Sequence, residues 1–556
     1  MADVLRTDVL IAGGGPCGLM LANELGRRGV SCLLVDPKPG TAFNPQANAT
    51  QARTMEHFRR LGFASEIRAQ GLPADHPTDI AYFTRYTGHE LARLQLPTAA
   101  QAVKNIKAMG GSWSAAELPH RVSQKFVEAT LRRQAEALPG IEVRYGWALE
   151  SFEDCESQVQ AQVRATASGE TLQVQAANLV GADGPRSLVR STLGIAWDGA
   201  SGVKREFMGG KMFAVYLRAP NFYTVFPHAR AWMYVSVNPQ RRAFMASVDG
   251  QSEFAFHAAV HEDEVAESWT AEDAQRIVDE AMGTHVPIDV LSVGTWTAGH
   301  SLVAQSFQRG RVFIGGDAAH LFTPTGGLGY NTAVEDAVNL GWKLAAVIRG
   351  AAPPQLLDSY EAERKPLAER NTAYARHFAD SVGRFRASAL LARADAEGQA
   401  ERERAASYLN QHARLEFNIP GVTFGGRYDS SPLIVKDGST APPDEAGNYQ
   451  PSASPGGRAP YAWLEDGSSL YDSFNFEWTL LVLVPEAPGA RSFVTAAATL
   501  GLDLKVVAQA SAALLALYGA PLALIRPDQI VAWRGSNGSD ALRVLAQASG
   551  HPPGIF

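Results

Sequence analysis

Cysteine is almost missing from this chain. Its 556 residues hold three, Cys17, Cys32 and Cys155, and no two of them form a C-x-x-C pair. A disulfide framework is therefore out of reach, and the three read as small buried hydrophobes of a protein in a reducing cytoplasm. Long apolar runs are missing too. The most apolar stretch, 510–525, is interrupted by Gly519 and Pro521 and is shorter than the roughly 20 residues a spanning helix needs. No membrane segment is expected, and the N-terminus runs directly into an apolar strand with no room for a signal peptide. Blocks of like charge are absent: the net charge of −7 is spread along the chain, unlike the clustered basic face of a nucleic-acid binder. No internal repeat is visible. With 46% apolar and 19% charged residues, the chain can bury the cores of two or three domains.

Glycine is plentiful and placed in patterns. The apolar run Val9-Leu10-Ile11-Ala12 leads into Gly13-Gly14-Gly15-Pro16-Cys17-Gly18, and a helical pattern with Leu19, Leu21, Ala22 and Leu25 follows. In this strand, turn and helix, Gly13 permits the turn and Gly15 lets backbone N–H groups approach a pyrophosphate. Gly18 allows helix and strand to pack closely, and the helix N-terminus offers partial positive charge to the phosphates. A second apolar strand, Ser31 to Val35, ends in Asp36, about 20 residues past the glycines, where a carboxylate accepts the ribose hydroxyls of an adenosine. This unit predicts an ADP-containing cofactor and does not by itself choose between FAD and NAD.

Two further stretches choose. Gly181-Ala182-Asp183-Gly184, with Pro185 to Arg190 after it, reads as the end of a strand, an Asp-Gly turn and a new helix. Gly315-Gly316-Asp317-Ala318-Ala319-His320 ends another strand and runs on through Pro324 to Gly326-Gly327-Leu328-Gly329-Tyr330-Asn331 and a long amphipathic helix. In this order, over roughly residues 7 to 385, the three stretches resemble the single-component FAD-dependent aromatic hydroxylases. Tyr360-Glu361-Ala362-Glu363-Arg364-Lys365-Pro366 matches the same family. The resemblance implies an α/β fold: a Rossmann-like FAD-binding domain of the para-hydroxybenzoate hydroxylase type, with an inserted β-sheet substrate domain and a C-terminal thioredoxin-like domain.

Carried over residue by residue, the resemblance implies a cofactor set of Gly13, Gly15, Pro16, Cys17, Gly18, Asp36 and Lys38, with Gly316 and Asp317 at the ribityl chain. The backbone of Pro324, Gly327, Leu328, Gly329 and Asn331 would lie along the isoalloxazine, with Pro324 and Gly327 nearest the chemistry. A Gly-rich loop entering a helix places N–H donors where a reduced flavin carries negative charge. The segment Asn44 to Glu56 resembles the phenol hydroxylase branch, in which the arginine matching Arg53 contacts the cofactor. Gln46 stands where many members carry an arginine. Arg121 and Gln124 resemble an Arg/Gln pair beside the flavin, although Ser123 also reads as a plain helix cap. Asp183 lies near the flavin and NADPH paths in relatives, and equally reads as a cap for the helix that starts near Ser187.

The domain division expected from this is 1–200 FAD-binding, with 77–110 contributing to the substrate domain, 201–300 a β-sheet substrate domain, 301–415 the FAD-binding domain continued with a helical segment, 428–457 a linker and 458–556 the thioredoxin-like domain. The 201–300 stretch is β-rich and heavy in large side chains, which suits an aromatic pocket and equally an ordinary sheet core. Tyr216, Tyr234, His228 and Arg242 are its candidates for engaging a phenol. The last domain has no cysteine and cannot do thiol chemistry. The activity implied is hydroxylation of a small aromatic substrate with FAD, NADPH or NADH and O2, through a flavin hydroperoxide. Baeyer–Villiger oxidation or epoxidation of a polycyclic, polyketide-like substrate remains an alternative, as does a non-catalytic flavin-binding protein. No metal, nucleic acid or membrane partner is expected, and a homodimer is possible on the family's pattern.

Overall fold

A computed structural model describes residues 4–205, 207–485 and 487–552. The strand Val4–Ala12 is central because its last four residues, Val9 to Ala12, are apolar on both faces and almost fully buried, as a parallel strand covered on two sides requires. It pairs in parallel with Cys32–Asp36 and with Thr171–Gly181, and Ile141–Tyr145 and Val312–Ile314 extend the parallel array on either side. The helix Pro16–Gly26 crosses one face, and the 21-residue helix Leu328–Ile348 lies against it. The approach is close: a Cβ on Gly341 would stand 2.5 Å from Cβ of Glu24.

A second sheet of seven strands runs in the order Asp289–Ala298, Gly210–Arg218, Glu253–Ala259, Ala243–Ser247, Met233–Ser236, Ile80–Phe83, Glu90–Leu94. The last two strands come from the 77–110 stretch. One face is sealed by the helix Ala271–Met282, whose Ala274, Ile277, Val278, Ala281 and Met282 join Phe213, Val215, Leu217, Phe254 and Phe256 in one core. The other face meets the helices Ser359–Arg384 and Ala396–Phe417 and the loops of the nucleotide-binding part.

The C-terminal domain is a four-stranded mixed sheet, Leu504–Ala508, Trp478–Val482, Leu522–Ile525, Val531–Gly535, with one parallel and two antiparallel pairings and three flanking helices. This is the thioredoxin-like arrangement. The 428–457 stretch lacks helix and extended strand, but it is not a loose tether: Tyr428, Leu433, Ile434, Val435 and Tyr449 are buried, and the Val435 N–H donates to the Ala532 carbonyl at 2.9 Å. Its Pro, Gly and Ser content sets the path of a packed strap.

Buried ion pairs fix the C-terminal domain to the rest. Glu363, fully enclosed on the helix Ser359–Arg384, accepts both guanidinium nitrogens of Arg526 at 2.6 and 2.8 Å and the Lys343 ammonium at 2.7 Å. Arg458 reaches Glu56 on the helix Ala52–Arg60, with Nε at 3.0 Å. Burial by itself would raise the Glu363 carboxyl, yet the neighbouring Arg526 and Lys343 charges hold it well below its ordinary 4.5, while burial lowers the Lys343 ammonium to about 8 against the opposing pull of Glu363. Glu363→Gln leaves Lys343 buried without its anion and Arg526 with Asp528 alone, and is expected to cost about 3–5 kcal/mol, read as a lowered urea midpoint. Because the folded carboxyl is depressed, its contribution is complete above 4.5 and fades as pH falls toward the folded value. Wild-type stability therefore drops on acidification below about pH 4.5, and the Gln variant loses that part of the drop.

Candidate active site

Glycine geometry brings the three sequence motifs together. Gly13 has φ +112°, and a Cβ there would stand 2.0 Å from the Ala182 carbonyl oxygen, so the first motif touches the second. A Cβ on Gly316 would stand 3.1 Å from Cβ of Cys17, so the third motif touches the first. The backbone bonds follow: Gly13 N–H donates to the Val35 carbonyl, Ala182 N–H to the Ala12 carbonyl and Gly315 N–H to the Gly181 carbonyl. Around Gly15, by contrast, an added Cβ would meet no heavy atom within 4 Å. That open side lies at the start of the helix Pro16–Gly26, with Pro16 in its first turn where a missing N–H costs nothing. Asp36 ends its strand nearby and accepts the Gly14 and Lys38 N–H groups at 2.7 and 2.8 Å. Its two oxygens keep further lone pairs for a ligand.

The third motif is held from behind. Gly326 and Gly327 both have φ near +65°, and Gly327 caps the helix Leu328–Ile348. One turn later Asn331 donates to the Gly327 and Ala49 carbonyls at 2.6 and 2.9 Å, and accepts from the Gln51 N–H and the Thr54 hydroxyl at 2.9 and 2.7 Å. Its amide thus clamps the 49–54 segment to the glycine loop. Asp336, fully buried in the same helix, accepts from Gly316 N–H at 3.1 Å, His320 Nε2 at 2.6 Å and Arg364 Nε at 2.8 Å. Burial would raise this carboxyl, but His320 and Arg364 hold it below its usual range. Asp336 escaped the sequence reading, although His320 and Arg364 both sat inside recognised motifs.

Other candidates are already committed. Arg53 is not directed to a cofactor. Its guanidinium donates to Gln529 Oε1 and to the Asp528 carbonyl, both at 2.7 Å, and to Glu56 at 3.0 Å, so it belongs to the junction with the C-terminal domain. Asp183 accepts from the Ser187 hydroxyl and the Val189 N–H, bracing the helix Leu188–Thr192. Gln124 donates its side chain to Glu128 and its N–H to the Ala47 carbonyl. Cys17 is buried against Gly315 and Gly316, and burial drives its thiol far up. Leu328 turns its side chain into a cluster with Ala375, Phe378 and Ile419.

Asp317 and Arg121 remain uncommitted, as does the exposed Lys38 ammonium, to which no ion pair is made among the described residues. Asp317 keeps exposed surface while protein surrounds it, so it lines a cleft, and no hydrogen bond is made to its carboxylate among the described residues. Burial raises this carboxyl, opposed by His320 and Lys38. Arg121 lies with its guanidinium 4.1 Å above the Trp232 ring, without a carboxylate partner among the described residues, and burial pulls it down to about 10. A hydroxyl-bearing chain for Asp317 and an electron-rich ring or anion for Arg121 are what these groups lack, and FAD offers both. Pro324 is exposed on the same loop as Gly327. The residues present fit the cofactor.

The substrate candidates divide by strand parity. Tyr216, Ala255, Ala246, Met233 and Ile80 align across one face of the seven-stranded sheet, and Ala214, His257, Phe244, Val235 and Tyr82 form the next row on that face. This face borders Ala49, whose Cβ lies 3.1 Å from a Cβ built on Gly327. Tyr234 has the opposite parity: it packs with Tyr86, Phe222 and Phe226 in the core behind the sheet, with its hydroxyl accepting from the Ala231 N–H. His228 sits with Phe83 and Phe226 on that same far side, its Nε2 at 2.8 Å from the Gly88 carbonyl. Neither reaches the flavin loop's side. Tyr216 is on the near face but already bonded to Lys125 and Glu253, and Arg242 caps carbonyls of Val382 and Phe385 at a helix end. The near face presents instead a group that sequence reasoning passed over, His257 between Phe244 and Trp296.

Family models match the chain twice: an FAD binding domain over residues 6–375 and an aromatic-ring hydroxylase C-terminal domain over 452–552. An FAD-dependent monooxygenase of Penicillium oxalicum, opdD, is 32% identical over 539 residues, covering 90% of this chain and 99% of that protein. The rebeccamycin biosynthetic enzyme RebC, solved with reduced flavin, superposes with TM-score 0.88 at 32% identity over 99% of this chain and all of that one. Aklavinone-11 hydroxylase, solved with FAD and aklavinone, superposes with TM-score 0.80 at 28% identity over the same shares. Among the described residues no helix is long and apolar enough to cross a membrane. The chain belongs to the family of single-component FAD-dependent aromatic-ring hydroxylases, and it is an FAD-dependent monooxygenase.

Proposed function

We propose that the protein uses NADPH or NADH and O2 to hydroxylate a phenolic, ring-fused aromatic compound. The observation that carries this reading is the near face of the seven-stranded sheet, where Tyr82, Phe244 and Trp296, with Phe207 and Trp232 beside them, form one aromatic and apolar wall bordering the flavin loop. A wall of that kind accepts flat rings by contact and excludes water from them. One similar structure, aklavinone-11 hydroxylase, holds FAD and aklavinone together.

Bound FAD supplies the redox chemistry, taking a hydride from the nicotinamide and delivering one oxygen atom from O2. The chain supplies binding and orientation. The N–H groups about Gly15 would receive the pyrophosphate at a helix N-terminus, Asp36 the ribose and Asp317 the ribityl hydroxyls. The loop from Pro324 to Asn331 would hold the ring system, with Gly326 and Gly327 allowing backbone contact, and Asn331 holds that loop rigid. Only one dinucleotide-binding unit is present among the described residues, so the nicotinamide cofactor would visit without a Rossmann domain of its own. A phenol has a pKa of about 10 and is a weak nucleophile until it loses its proton. The Arg121 cation, without an anion beside it among the described residues, favours negative charge in this region. Oxygen insertion into a ketone is the second reading, since the same wall admits a cyclic ketone.

Asp317→Ala removes a carboxylate whose hydrogen bonds to hydroxyls are worth about 1.5–3 kcal/mol, so FAD binding should weaken by about 10- to 100-fold. The purified variant should be pale and should recover colour only in excess FAD; full colour and turnover would displace Asp317 from the cofactor site. For the reaction itself, NADPH consumption is followed with peroxide release and product mass across phenols, hydroxybenzoates, polycyclic phenols and cyclic ketones. Faster consumption with one oxygen gained on a polycyclic phenol and little peroxide supports hydroxylation. Oxygen gained by ketones alone overturns it in favour of Baeyer–Villiger chemistry.

A further inference from the structure

His257 lies on the third strand of the seven, on the face toward the flavin loop, with its ring stacked on Phe244 at 4.6 Å and an 18° interplanar angle. The Trp296 indole Nε1–H donates to its Nδ1 at 3.1 Å. An indole N–H can only donate, so Nδ1 must accept, and the imidazole proton resides on Nε2. Flipping the ring by 180° would keep the stack but place a carbon where Trp296 donates, sacrificing this bond. Nε2 itself has no hydrogen-bond partner among the described residues and is not among the buried, unsatisfied atoms, so it faces open space inside an enclosed part of the molecule. That space borders the wall assigned above to substrate.

We infer that His257 is a substrate-contacting residue whose Nε2–H donates a hydrogen bond to an oxygen acceptor, a phenolate or ring carbonyl, on the bound aromatic compound. The inference rests on the ring-fused aromatic reading and adds to it a selection rule: the ring system must carry an accepting oxygen at the His257 end. Burial pulls this imidazole down to about 4, so it is neutral at working pH and donates as a neutral N–H. In this tautomer it cannot take the phenolic proton, which makes it a reader of oxygen position rather than the base. A site built to hydrogen-bond an oxygen rejects an analogue that lacks it, because the protein group is then left unpaired.

The test uses the holoenzyme in equilibrium dialysis with 1,8-dihydroxyanthraquinone and 1-naphthol as oxygen-bearing probes and naphthalene as the oxygen-free one. His257→Phe keeps the aromatic stack and removes the donor. It should weaken both oxygen-bearing probes by about tenfold or more, a loss of about 1.4 kcal/mol, and leave naphthalene unchanged, with flavin content as the check on folding. His257→Gln, which retains an N–H donor, should recover part of the loss. Trp296→Phe keeps the imidazole but releases its tautomer, and should weaken the oxygen-bearing probes by a few-fold. If His257→Phe binds the oxygen-bearing probes within about twofold of wild type, or loses naphthalene equally, the inference is overturned. If His257→Phe fails to hold flavin, affinities of Trp296→Phe for the oxygen-bearing probes within about twofold of wild type overturn it. A flavin-loaded wild type that binds none of the three probes instead overturns the aromatic reading on which the inference rests.

Discussion

Asp336 and its neighbours set the condition on which the flavin-facing loops depend. A carboxylate with no exposure has surrendered its hydration, which costs several kcal/mol unless charge and hydrogen bonds replace it. Here the replacements are Gly316 N–H, His320 and Arg364, three groups from the glycine motif, the strand after it and the helix Ser359–Arg384. The position of Gly316 is therefore tied to a charge that cannot move without losing its partners. The residue before Arg364 is Glu363, which binds Arg526 of the C-terminal domain in the same manner. Two adjacent residues of one helix thus face the cofactor loop on one side and the last domain on the other.

A second route connects the same two regions. Arg53 spans from Glu56 to Gln529 and the Asp528 carbonyl, and Gln529 holds φ +63°, a conformation that a non-glycine residue adopts only when its surroundings demand it. The helix that carries Arg53 begins at Ala52, directly after Gln51, whose N–H meets the Asn331 amide. The turn Arg526 to Gln529 therefore bears on the glycine loop through one helix and one asparagine. In these contacts the C-terminal domain, which lacks cysteine, contributes guanidiniums, a main-chain carbonyl and an amide that satisfy charges of the flavin-binding part.

How much of this could be read in the sequence depended on whether the physics was local. The glycine turns, the acid ending the second strand and the helix after the third motif are decided by near neighbours, and they led directly to the α/β fold and FAD. Arg53 shows the opposite case: its residue type suits a phosphate, but its partners Gln529 and Asp528 lie more than four hundred residues away and only the folded chain brings them near. Tyr234 and Tyr216 differ by strand parity, and parity follows from register across the sheet, which spacing along one strand does not fix. His257 was silent for the same reason. Its tautomer is set by Trp296 and its stack by Phe244, both on other strands.

The polar groups of the cleft then separate into two kinds, and the separation is what makes the site legible as a binding site. Asn331, Asp336, Asp183 and Gln124 have their hydrogen-bonding capacity engaged within the chain, and they hold loops in place. Asp317, Arg121 and His257 Nε2 retain capacity that the described chain does not use. Buried polar groups in native proteins are normally paired, so unspent ones enclosed beside a rigid loop are best understood as paired in the liganded protein. Asp317 and Arg121 are charged and flank the glycine loops, which suits the cofactor; His257 is neutral and sits on the aromatic wall, which suits an aromatic ring with one accepting oxygen to place. The rigidity of the first group gives the second its discrimination, because a donor held in one tautomer by a neighbouring strand cannot turn to accommodate a ligand with its oxygen elsewhere.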